Sequence, residues 1–323
     1  MGWLVTGGAG YIGAHVVRAF QAAGIEASVL DDLSTGFEAF VPDGVPLIKA
    51  TLLDRDAVRE AVQGVDGVVH VAGYKYAGVS VQRPLHTYEQ NISAMVILLQ
   101  EMRDAGADRM VFSSSAATYG TTDVDLVTEQ TPNHPESPYG ETKLIGEWLL
   151  KDAGVAHGLR HTSLRYFNVV GSGSPDLYDA SPHNLFPLVF DALVEGRTPK
   201  IFGDDYNTPD GTCVRDYIHV ADLAEAHVAA AQRLAAGEPI EPVYNLGSGA
   251  GSSVRQIMDT IREVTGIDFE PEMHPRRPGD PDRIVAAGEL AARDLHWQMR
   301  HTLEQMVATA WEARQKAGDA YRG

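Results

Sequence analysis

Short apolar runs alternate with longer amphipathic stretches over roughly the first half of the chain. Runs rich in Val, Ile and Leu, bounded by Gly or Asp, predict strands, and apolar residues at helical spacing predict helices between them. Regular alternation implies right-handed crossovers, so we expect a mostly parallel sheet covered by helices on both faces. The predicted strands are residues 2–6, 26–30, 46–50, 67–72, 109–113 and 161–166, and the predicted helices are 11–23, 55–63, 85–105 and 139–153.

The pattern changes after residue 168. Two stretches rich in Gly, Ser, Asp and Pro, residues 171–182 and 203–212, predict loops over a cleft. Further helices are predicted at 222–235, 254–265, 287–295 and 302–315, the second with Ser253 as its N-cap, and a strand at 243–246 is expected to rejoin the main sheet. The fold class predicted is α/β, a doubly wound, Rossmann-like parallel sheet with a smaller mixed α/β carboxy-terminal lobe. We expect a domain over 1–169, onto which about 216–248 packs back, and a discontinuous lobe over 170–323.

Composition and charge exclude several classes of protein. The chain has 323 residues, 44% of them hydrophobic and 22% charged, which are globular proportions. Its single cysteine, Cys213, excludes an internal disulfide framework, and its 12 histidines show no metal-ligand spacing, so no metal is expected. The net charge of −18 repels nucleic acid and anionic membranes, and no apolar run approaches the ~20 residues of a membrane span. Because the chain opens directly on a predicted strand, we expect a cytoplasmic protein.

A glycine-rich turn joins the first predicted strand to the first predicted helix. Residues 6–13 read Thr-Gly-Gly-Ala-Gly-Tyr-Ile-Gly, and such a turn lets backbone N–H groups and a helix N-terminus approach a pyrophosphate. The second strand is followed by Asp31, eighteen residues beyond Gly13. A carboxylate there accepts from both hydroxyls of an adenosine ribose and repels a 2′-phosphate. The sequence therefore predicts NAD rather than NADP as the cofactor, and Lys75, after the fourth strand, is a candidate phosphate contact.

A second group of residues has the chemistry of a proton-transfer site. Three successive serines, residues 113–115, begin at the last residue of the fifth predicted strand. Tyr139 and Lys143 lie four residues apart on one face of a predicted helix, so the ammonium group can lie beside the phenol. We expect this charge to lower the phenol pKa toward neutrality, which makes the tyrosinate available as a base, while a serine hydroxyl relays the proton.

These motifs resemble those of the extended short-chain dehydrogenase/reductase superfamily and, within it, the UDP-glucose 4-epimerase (UDP-galactose 4-epimerase) family. The resemblance covers essentially the whole chain. It rests on residues 4–13 (LVTGGAGYIG), 70–75 (HVAGYK), 80–84 (SVQRP), 137–140 (SPYG), 164–168 (LRYFN), 211–220 (GTCVRDYIHV) and 244–247 (YNLG).

The resemblance implies a role for each matching residue. Tyr139 would act as base and acid on the sugar O4, Ser115 would hydrogen-bond that oxygen, and Lys143 would hold the nicotinamide ribose. Asn168 and Asn184 would contact the nucleotide sugar. Arg215 and Arg277 would bind on the diphosphate and uridine side. Phe202 would line the uracil slot. The NAD contacts implied are Gly7, Gly10, Tyr11, Ile12, Gly13, Asp31, Lys75, Asn91, Tyr139 and Lys143.

Three positions depart from the family pattern. Ala50-Thr51 replaces a usual Gly-Asp, which removes a carboxylate contact to adenine, and Ala287 replaces a usual Asp. Ile284 lies near a position that gates the sugar pocket in the family; it is intermediate in size, so acceptance of N-acetylated sugars stays open.

The function expected is reversible 4-epimerisation of a UDP-hexose through a transient 4-keto sugar with tightly bound NAD. A 4-epimerase of another UDP-sugar (UDP-GlcNAc/GalNAc, UDP-glucuronate or a UDP-pentose) remains open. A dehydratase or decarboxylase is disfavoured because Ala116-Ala117 stand where those enzymes carry acids. A non-enzymic NAD-binding regulator is disfavoured because Ser115, Tyr139 and Lys143 are intact. The resemblance also implies a homodimer formed by helices 85–105 and 139–153, with an apolar surface from Ile92, Met95, Val96, Leu98 and Leu99.

Overall fold

A seven-stranded parallel sheet lies at the centre of the molecule in the computed structural model, which describes residues 2–124, 126–277 and 280–318. The first half of the chain supplies six of the strands and the helices between them. In chain order these elements are β1 (Gly2–Thr6), α1 (Tyr11–Ala22), β2 (Glu26–Asp31), β3 (Leu47–Lys49), α2 (Arg55–Ala61), β4 (Gly67–His70), α3 (Ala77–Gln82), α4 (Pro84–Tyr88), α5 (Ala94–Ala105), β5 (Arg109–Ser113), α6 (Pro138–His157) and β6 (Arg160–Tyr166).

The second half adds shorter strands and five further helices within the described residues. They are β7 (Asn168–Val170), α7 (Leu185–Val194), β8 (Lys200–Phe202), β9 (Val214–Arg215), β10 (Tyr217–His219), α8 (Val220–Ala235), β11 (Val243–Leu246), β12 (Ser252–Ser253), α9 (Val254–Thr265), β13 (Glu272–His274), β14 (Arg283–Ile284), α10 (Glu289–Asp294) and α11 (Leu303–Ala317).

The strand order of the main sheet is β3-β2-β1-β4-β5-β6-β11, and every pairing is parallel. The order reverses between β1 and β4, which are hydrogen-bonded neighbours. In doubly wound sheets, ligands bind in the crevice outside the carboxyl ends of the strands at such a reversal. The predicted fold class is confirmed, and so is the prediction that the strand at 243–246 rejoins this sheet.

Helices cover both faces of the sheet because successive side chains of a strand point to opposite sides. Along β1, Trp3 and Val5 pack into a core cluster with residues of α1 and α8, whereas Leu4 packs into a second cluster with residues of α2 and α5. All four residues of β4 are buried, as expected for a strand covered on both faces. The carboxyl edge is thus held rigidly by two separate apolar cores.

The second lobe has its own apolar core around α7, α9 and α11. The described residues form three small sheets here: β7 pairs with β10, β8 pairs with β13, and β9 pairs with both β12 and β14. Ser253 caps α9 and forms a capping box with Gln256, as predicted. The stretches 171–182 and 203–212 contain no helix or strand, which confirms the predicted loops within this described part of the chain.

The long helix predicted at 85–105 is divided. A π-helical turn, Glu89–Ser93, separates α4 from α5. Such turns are rare in proteins overall, and many of those that occur lie at functional sites.

Among the described residues, no helix combines the length and the apolar character that a membrane crossing requires.

Candidate active site

The glycine turn between β1 and α1 brings the backbone close to neighbouring strands. Gly7 has a left-handed φ of +72°, and a Cβ there would lie 2.7 Å from the Ala72 nitrogen. A Cβ at Gly13 would collide with the Gly7 carbonyl oxygen. Within the described chain, no side chain caps α1 and no acidic residue lies in its first turn, so these N–H groups can receive an anion.

Asp31 holds this turn in place from the end of β2. Its Oδ2 accepts from the Ala9 N–H and its Oδ1 from the Leu33 N–H, both at 2.9 Å. Burial raises the Asp31 pKa, and the two backbone hydrogen bonds oppose that rise. The small residues of the turn, the uncapped helix and this carboxylate together fit the pyrophosphate and adenosine ribose of NAD.

The predicted catalytic residues come together at the carboxyl edge of β5. Tyr139 lies in the first turn of α6, where Ser137 caps the helix and the Tyr139 N–H donates to the Ser80 Oγ at 3.1 Å. The phenol of Tyr139 is hydrogen-bonded to Ser115, which lies just beyond β5. The structure therefore joins two residues that are 24 positions apart in the sequence, in the contact that relay of a proton requires.

Lys143 lies one turn along α6 and is also buried. Its Nζ donates to the Ser113 carbonyl oxygen at 2.8 Å and lies 5.8 Å from the centroid of the Tyr139 ring. Burial lowers the Lys143 pKa to about 8, while the charge of Glu147 opposes that shift.

The phenol pKa differs from the sequence-based expectation. We expected the Lys143 charge to bring the Tyr139 pKa toward neutrality. In the structure, burial raises the Tyr139 pKa above its usual value, and the hydrogen bond from Ser115 only partly opposes the rise. Desolvation of the phenolate therefore outweighs the help from neighbouring groups in this geometry.

Two other predicted NAD contacts follow β4 and α4. The Asn91 side chain, within the π-helical turn, accepts from the Tyr74 N–H at 2.6 Å and donates to the Thr142 Oγ1 at 2.9 Å. Asn91 therefore fastens the loop after β4 to the helix that carries Lys143. Lys75 is exposed in the same loop, with its Nζ 5.8 Å from the Tyr76 ring centroid. For both residues, contact with NAD stays a prediction.

The predicted diphosphate and uracil residues form a second group in the carboxy-terminal lobe. Arg277 stacks over the Phe202 ring at 5.1 Å, and its Nε lies 3.3 Å from an Asp280 oxygen. Arg215 lies 3.7 Å from the other oxygen of Asp280 and donates to the Pro281 carbonyl oxygen at 2.8 Å. The structure thus gathers the two predicted arginines around one carboxylate that sequence reasoning missed, with Phe202 against Arg277.

Asn168 and Asn184 are exposed and make local contacts. The Asn168 Nδ2 donates to the Asp216 carbonyl oxygen at 2.9 Å, and the Asn184 Nδ2 donates to Asp179 at 2.7 Å. The first residue begins β7 and the second is the N-cap of α7. Contact of these two residues with the sugar stays a prediction.

Ile284, which the resemblance puts near a sugar-gating position, packs close to the loop that carries Ser115. It joins a small apolar cluster with Ala116, Tyr119, Val127 and Phe167. Ala116 directly follows Ser115, so the side chain at 284 lies against the loop that carries the predicted catalytic serine.

Sequence reasoning missed a buried polar group behind the predicted catalytic residues. Glu147, on α6, binds both Arg165 of β6 and the Ser114 hydroxyl. Two signals could have found it: a glutamate one turn beyond Lys143 on the same helical face, and an arginine inside a predicted central strand. Within the described ranges, no cluster of three or more His, Cys, Asp or Glu side chains is arranged to hold a metal.

Comparison with known proteins agrees with this fold and site. The model of the NAD dependent epimerase/dehydratase family matches residues 3–247, and the chain belongs to that family. Its relatives include the UDP-glucose 4-epimerase of Streptomyces lividans, 43% identical with 96% of this chain and 95% of the relative covered. The UDP-glucose 4-epimerase of Azospirillum brasilense is 44% identical, with 96% and 91% covered.

A solved structure agrees equally well. The UDP-glucose-4-epimerase of Stenotrophomonas maltophila, with bound NAD and formylated UDP-arabinopyranose, superposes with a TM-score of 0.94 at 37% identity and covers 99% of both chains. The resemblance predicted from the motifs is confirmed.

Proposed function

We propose that this protein interconverts UDP-galactose and UDP-glucose by inverting carbon 4 of the hexose through a transient 4-keto sugar. The observation that carries the proposal is the contact between Tyr139 and Ser115 beside the buried Lys143, next to a glycine turn that fits NAD. The relatives named UDP-glucose 4-epimerase support it over the whole length of the chain.

In this reaction Tyr139 removes the proton from the sugar O4 and later returns it. Ser115 hydrogen-bonds the same oxygen and passes the proton along. Bound NAD would supply a hydride acceptor for C4 and a positively charged ring that favours the phenolate. Since burial raises the Tyr139 pKa, the Lys143 ammonium and that ring must together overcome the desolvation of the phenolate.

The cofactor contacts belong to the turn after β1 and to the strand ends beside it. The turn would hold the pyrophosphate on backbone N–H groups, and Asp31 would bind the adenosine ribose. Lys75 would reach NAD from the loop after β4, and Asn91 from the π-helical turn between α4 and α5. The full proposed set is Gly7, Gly10, Tyr11, Ile12, Gly13, Asp31, Lys75, Asn91, Tyr139 and Lys143.

The nucleotide handle would be gripped by the second group of residues. Arg215 and Arg277 would bind the diphosphate and uridine side, because guanidinium groups bind phosphate bidentately. Phe202, 38% exposed, offers a flat ring for uracil. Asn168 and Asn184 would contact the sugar more loosely, which suits a 4-keto sugar that must turn over between the two hydride transfers.

A homodimer is part of the proposal. Of the five residues expected to form the apolar surface, Met95 and Leu98 are instead buried in the chain's own core, and Leu99 packs against that core. Leu85 on α4 and Trp148 and Val155 on α6 are 83%, 55% and 85% exposed and offer an apolar face on the helices expected to pair. A monomeric mass by light scattering at micromolar concentration would contradict this proposal.

Two further parts of the proposal rest on the sequence. A domain over residues 1–169 would bind NAD, with about 216–248 packed against it, and a lobe over 170–323 would bind the nucleotide sugar. A cytoplasmic location is proposed because the single cysteine excludes an internal disulfide framework.

The test is epimerisation of UDP-galactose by purified protein without added NAD, measured as formation of UDP-glucose. Tyr139→Phe should reduce kcat by at least about 10²-fold, since it removes the base. NAD released by denaturation should remain at the wild-type amount. Tyr244→Phe is the matched control: this buried tyrosine hydrogen-bonds Asp294 and the Glu241 N–H, outside the proposed site. Near-wild-type turnover by Tyr139→Phe would refute the assignment.

A further inference from the structure

A buried ion pair lies directly behind the catalytic residues. The Glu147 Oε1 accepts from the Arg165 Nε at 2.8 Å, and its Oε2 from an Arg165 terminal nitrogen at 2.5 Å. The two residues are 7% and 3% exposed. Apolar residues of similar volume often stabilise a fold as well as a buried ion pair does, so stability alone does not account for one here.

Glu147 also holds the segment that leads to the catalytic serine. Its Oε1 accepts from the Ser114 Oγ at 2.5 Å, while Lys143, one turn earlier on α6, donates to the Ser113 carbonyl oxygen at 2.8 Å. Two successive residues at the end of β5, Ser113 and Ser114, are thus bound by two residues on one face of the helix that carries Tyr139. These contacts determine where Ser115 lies relative to the phenol.

Arg165 holds the other side of the same loop. Its guanidinium carbon lies 4.7 Å from the centroid of the Tyr119 ring, and the Tyr119 hydroxyl donates to the Asn245 Oδ1 at 2.8 Å. Tyr119 follows Ser115 by four residues, just beyond a single 3₁₀ turn. The ion pair therefore fixes the loop both before and after the catalytic serine.

We propose that Glu147, held by Arg165, is a positioning residue that sets the distance between Ser115 and Tyr139 and keeps the Lys143 ammonium charged. The inference rests on the proposed function of Ser115, Tyr139 and Lys143. Its effect belongs to the proton-transfer step, since none of its contacts reaches the arginines expected to hold the nucleotide.

The charge of Lys143 depends on every ionisable group packed around it. Burial lowers the pKa of the nearby His70 to about 3, so this histidine is neutral near pH 7, and the charge of Glu147 raises the Lys143 pKa. Glu147 is thus the acid that opposes the desolvation of the ammonium group. Among the described residues, the titratable and charged groups around this site are His70 on β4, Tyr119 in the loop after β5, Tyr139 and Glu147 on α6, His161, Arg165 and Tyr166 on β6, and His227 on α8.

The test compares Glu147→Gln and Ser114→Ala with the wild type in the UDP-galactose assay. A misplacement of about 1 Å at a reacting group costs up to about 10²-fold, so we expect kcat to fall about 10- to 100-fold, with KM within about twofold and NAD fully retained. In Glu147→Gln alone, the alkaline fall of kcat should begin at lower pH, because the Lys143 ammonium loses its counter-charge. Ser114→Ala keeps the ion pair, so it remains informative if Glu147→Gln does not fold.

Asp191→Asn is the matched control. This carboxylate binds the buried Arg314 at 2.7 Å, far along the chain from α6, so kcat and its pH profile should stay at wild-type values. A second readout needs no substrate: titration of the Lys143 ammonium group, followed by nuclear magnetic resonance of protein labelled with nitrogen-15 at the lysine side chains, should shift to lower pH in Glu147→Gln. Unchanged kcat in both test variants, or an unchanged Lys143 titration in Glu147→Gln, would overturn the inference. If the wild type fails to epimerise UDP-galactose, the proposed function is wrong, and the Lys143 titration still decides the role of Glu147.

Discussion

Acid should destabilise this protein through a histidine that is buried beside the end of β5. His227 on α8 is fully buried. Its Nδ1 contacts the Leu223 carbonyl oxygen at 2.9 Å, and its Nε2 contacts the Ser113 Oγ at 2.8 Å. Because a carbonyl oxygen only accepts, Nδ1 carries the proton and Nε2 accepts from the serine, so the neutral ring satisfies both contacts. Burial lowers the His227 pKa to about 4.

The sign and size of the effect follow from that pKa. An unfolded histidine has a pKa of about 6.5, so between roughly pH 6.5 and 4 the unfolded chain binds a proton that the folded chain does not. The free energy of unfolding therefore decreases as the pH falls through this window. The full loss is about 3 kcal/mol, and between about pH 7.5 and about pH 5.5 it is about 1.3 kcal/mol for this one residue.

The assay is urea unfolding at about pH 7.5 and about pH 5.5, followed by far-ultraviolet circular dichroism. His227→Gln keeps a donor and an acceptor but does not titrate, so it should lose about 1.3 kcal/mol less than the wild type between these two pH values. The other buried histidines are present in both proteins, and their contribution cancels. His157→Gln replaces an exposed histidine and should behave like the wild type. Equal losses in His227→Gln and wild type would refute the reasoning.

Two further predictions concern the ligand contacts. Asp31→Asn should weaken NAD binding at least about 10-fold, measured by calorimetry, because the ribose loses a charged acceptor. If the variant binds NAD with wild-type affinity, Asp31 only holds the turn. Arg277→Ala should raise the KM for UDP-galactose about 10- to 100-fold with little change in kcat, since it removes binding common to ground and transition states. The control is Arg276→Ala, because Arg276 pairs with Asp282 and stacks on Tyr206 instead; equal effects of the two substitutions would argue against the assignment.

The features predicted correctly are those that local sequence determines. The alternation of strands and helices, the turn after β1 and the position of Asp31 at the end of β2 depend on neighbouring residues and on the reversal of the strand order. The spacing of Tyr139 and Lys143 likewise requires only that the helix forms. Ser253 was predicted to cap α9 because a serine before an amphipathic run has a direct local role.

The features missed depend on tertiary contacts. The strands β9, β12 and β14 have two residues each, too few for any periodicity to show, and they form because the chain returns to pair there. The helix α7 contains Pro187 at its third position and is apolar on most of its surface, so helical periodicity is weak. Asp280 joins Arg215 to Arg277 only in the folded lobe, and no spacing in the sequence indicates it.

The elevated Tyr139 pKa results from burial, which the sequence does not show. From sequence, the neighbouring lysine is the only visible influence on the phenol, and it lowers the pKa. Folding adds burial, which acts on both partners in opposite directions: it raises the phenol pKa and lowers the Lys143 pKa to about 8. The two pKa values therefore move apart, and both shifts favour the neutral pair over the tyrosinate–ammonium pair, so added local charge is needed to ionise the pair. A buried glutamate on the same helical face is such a charge, and a positively charged nicotinamide ring is another.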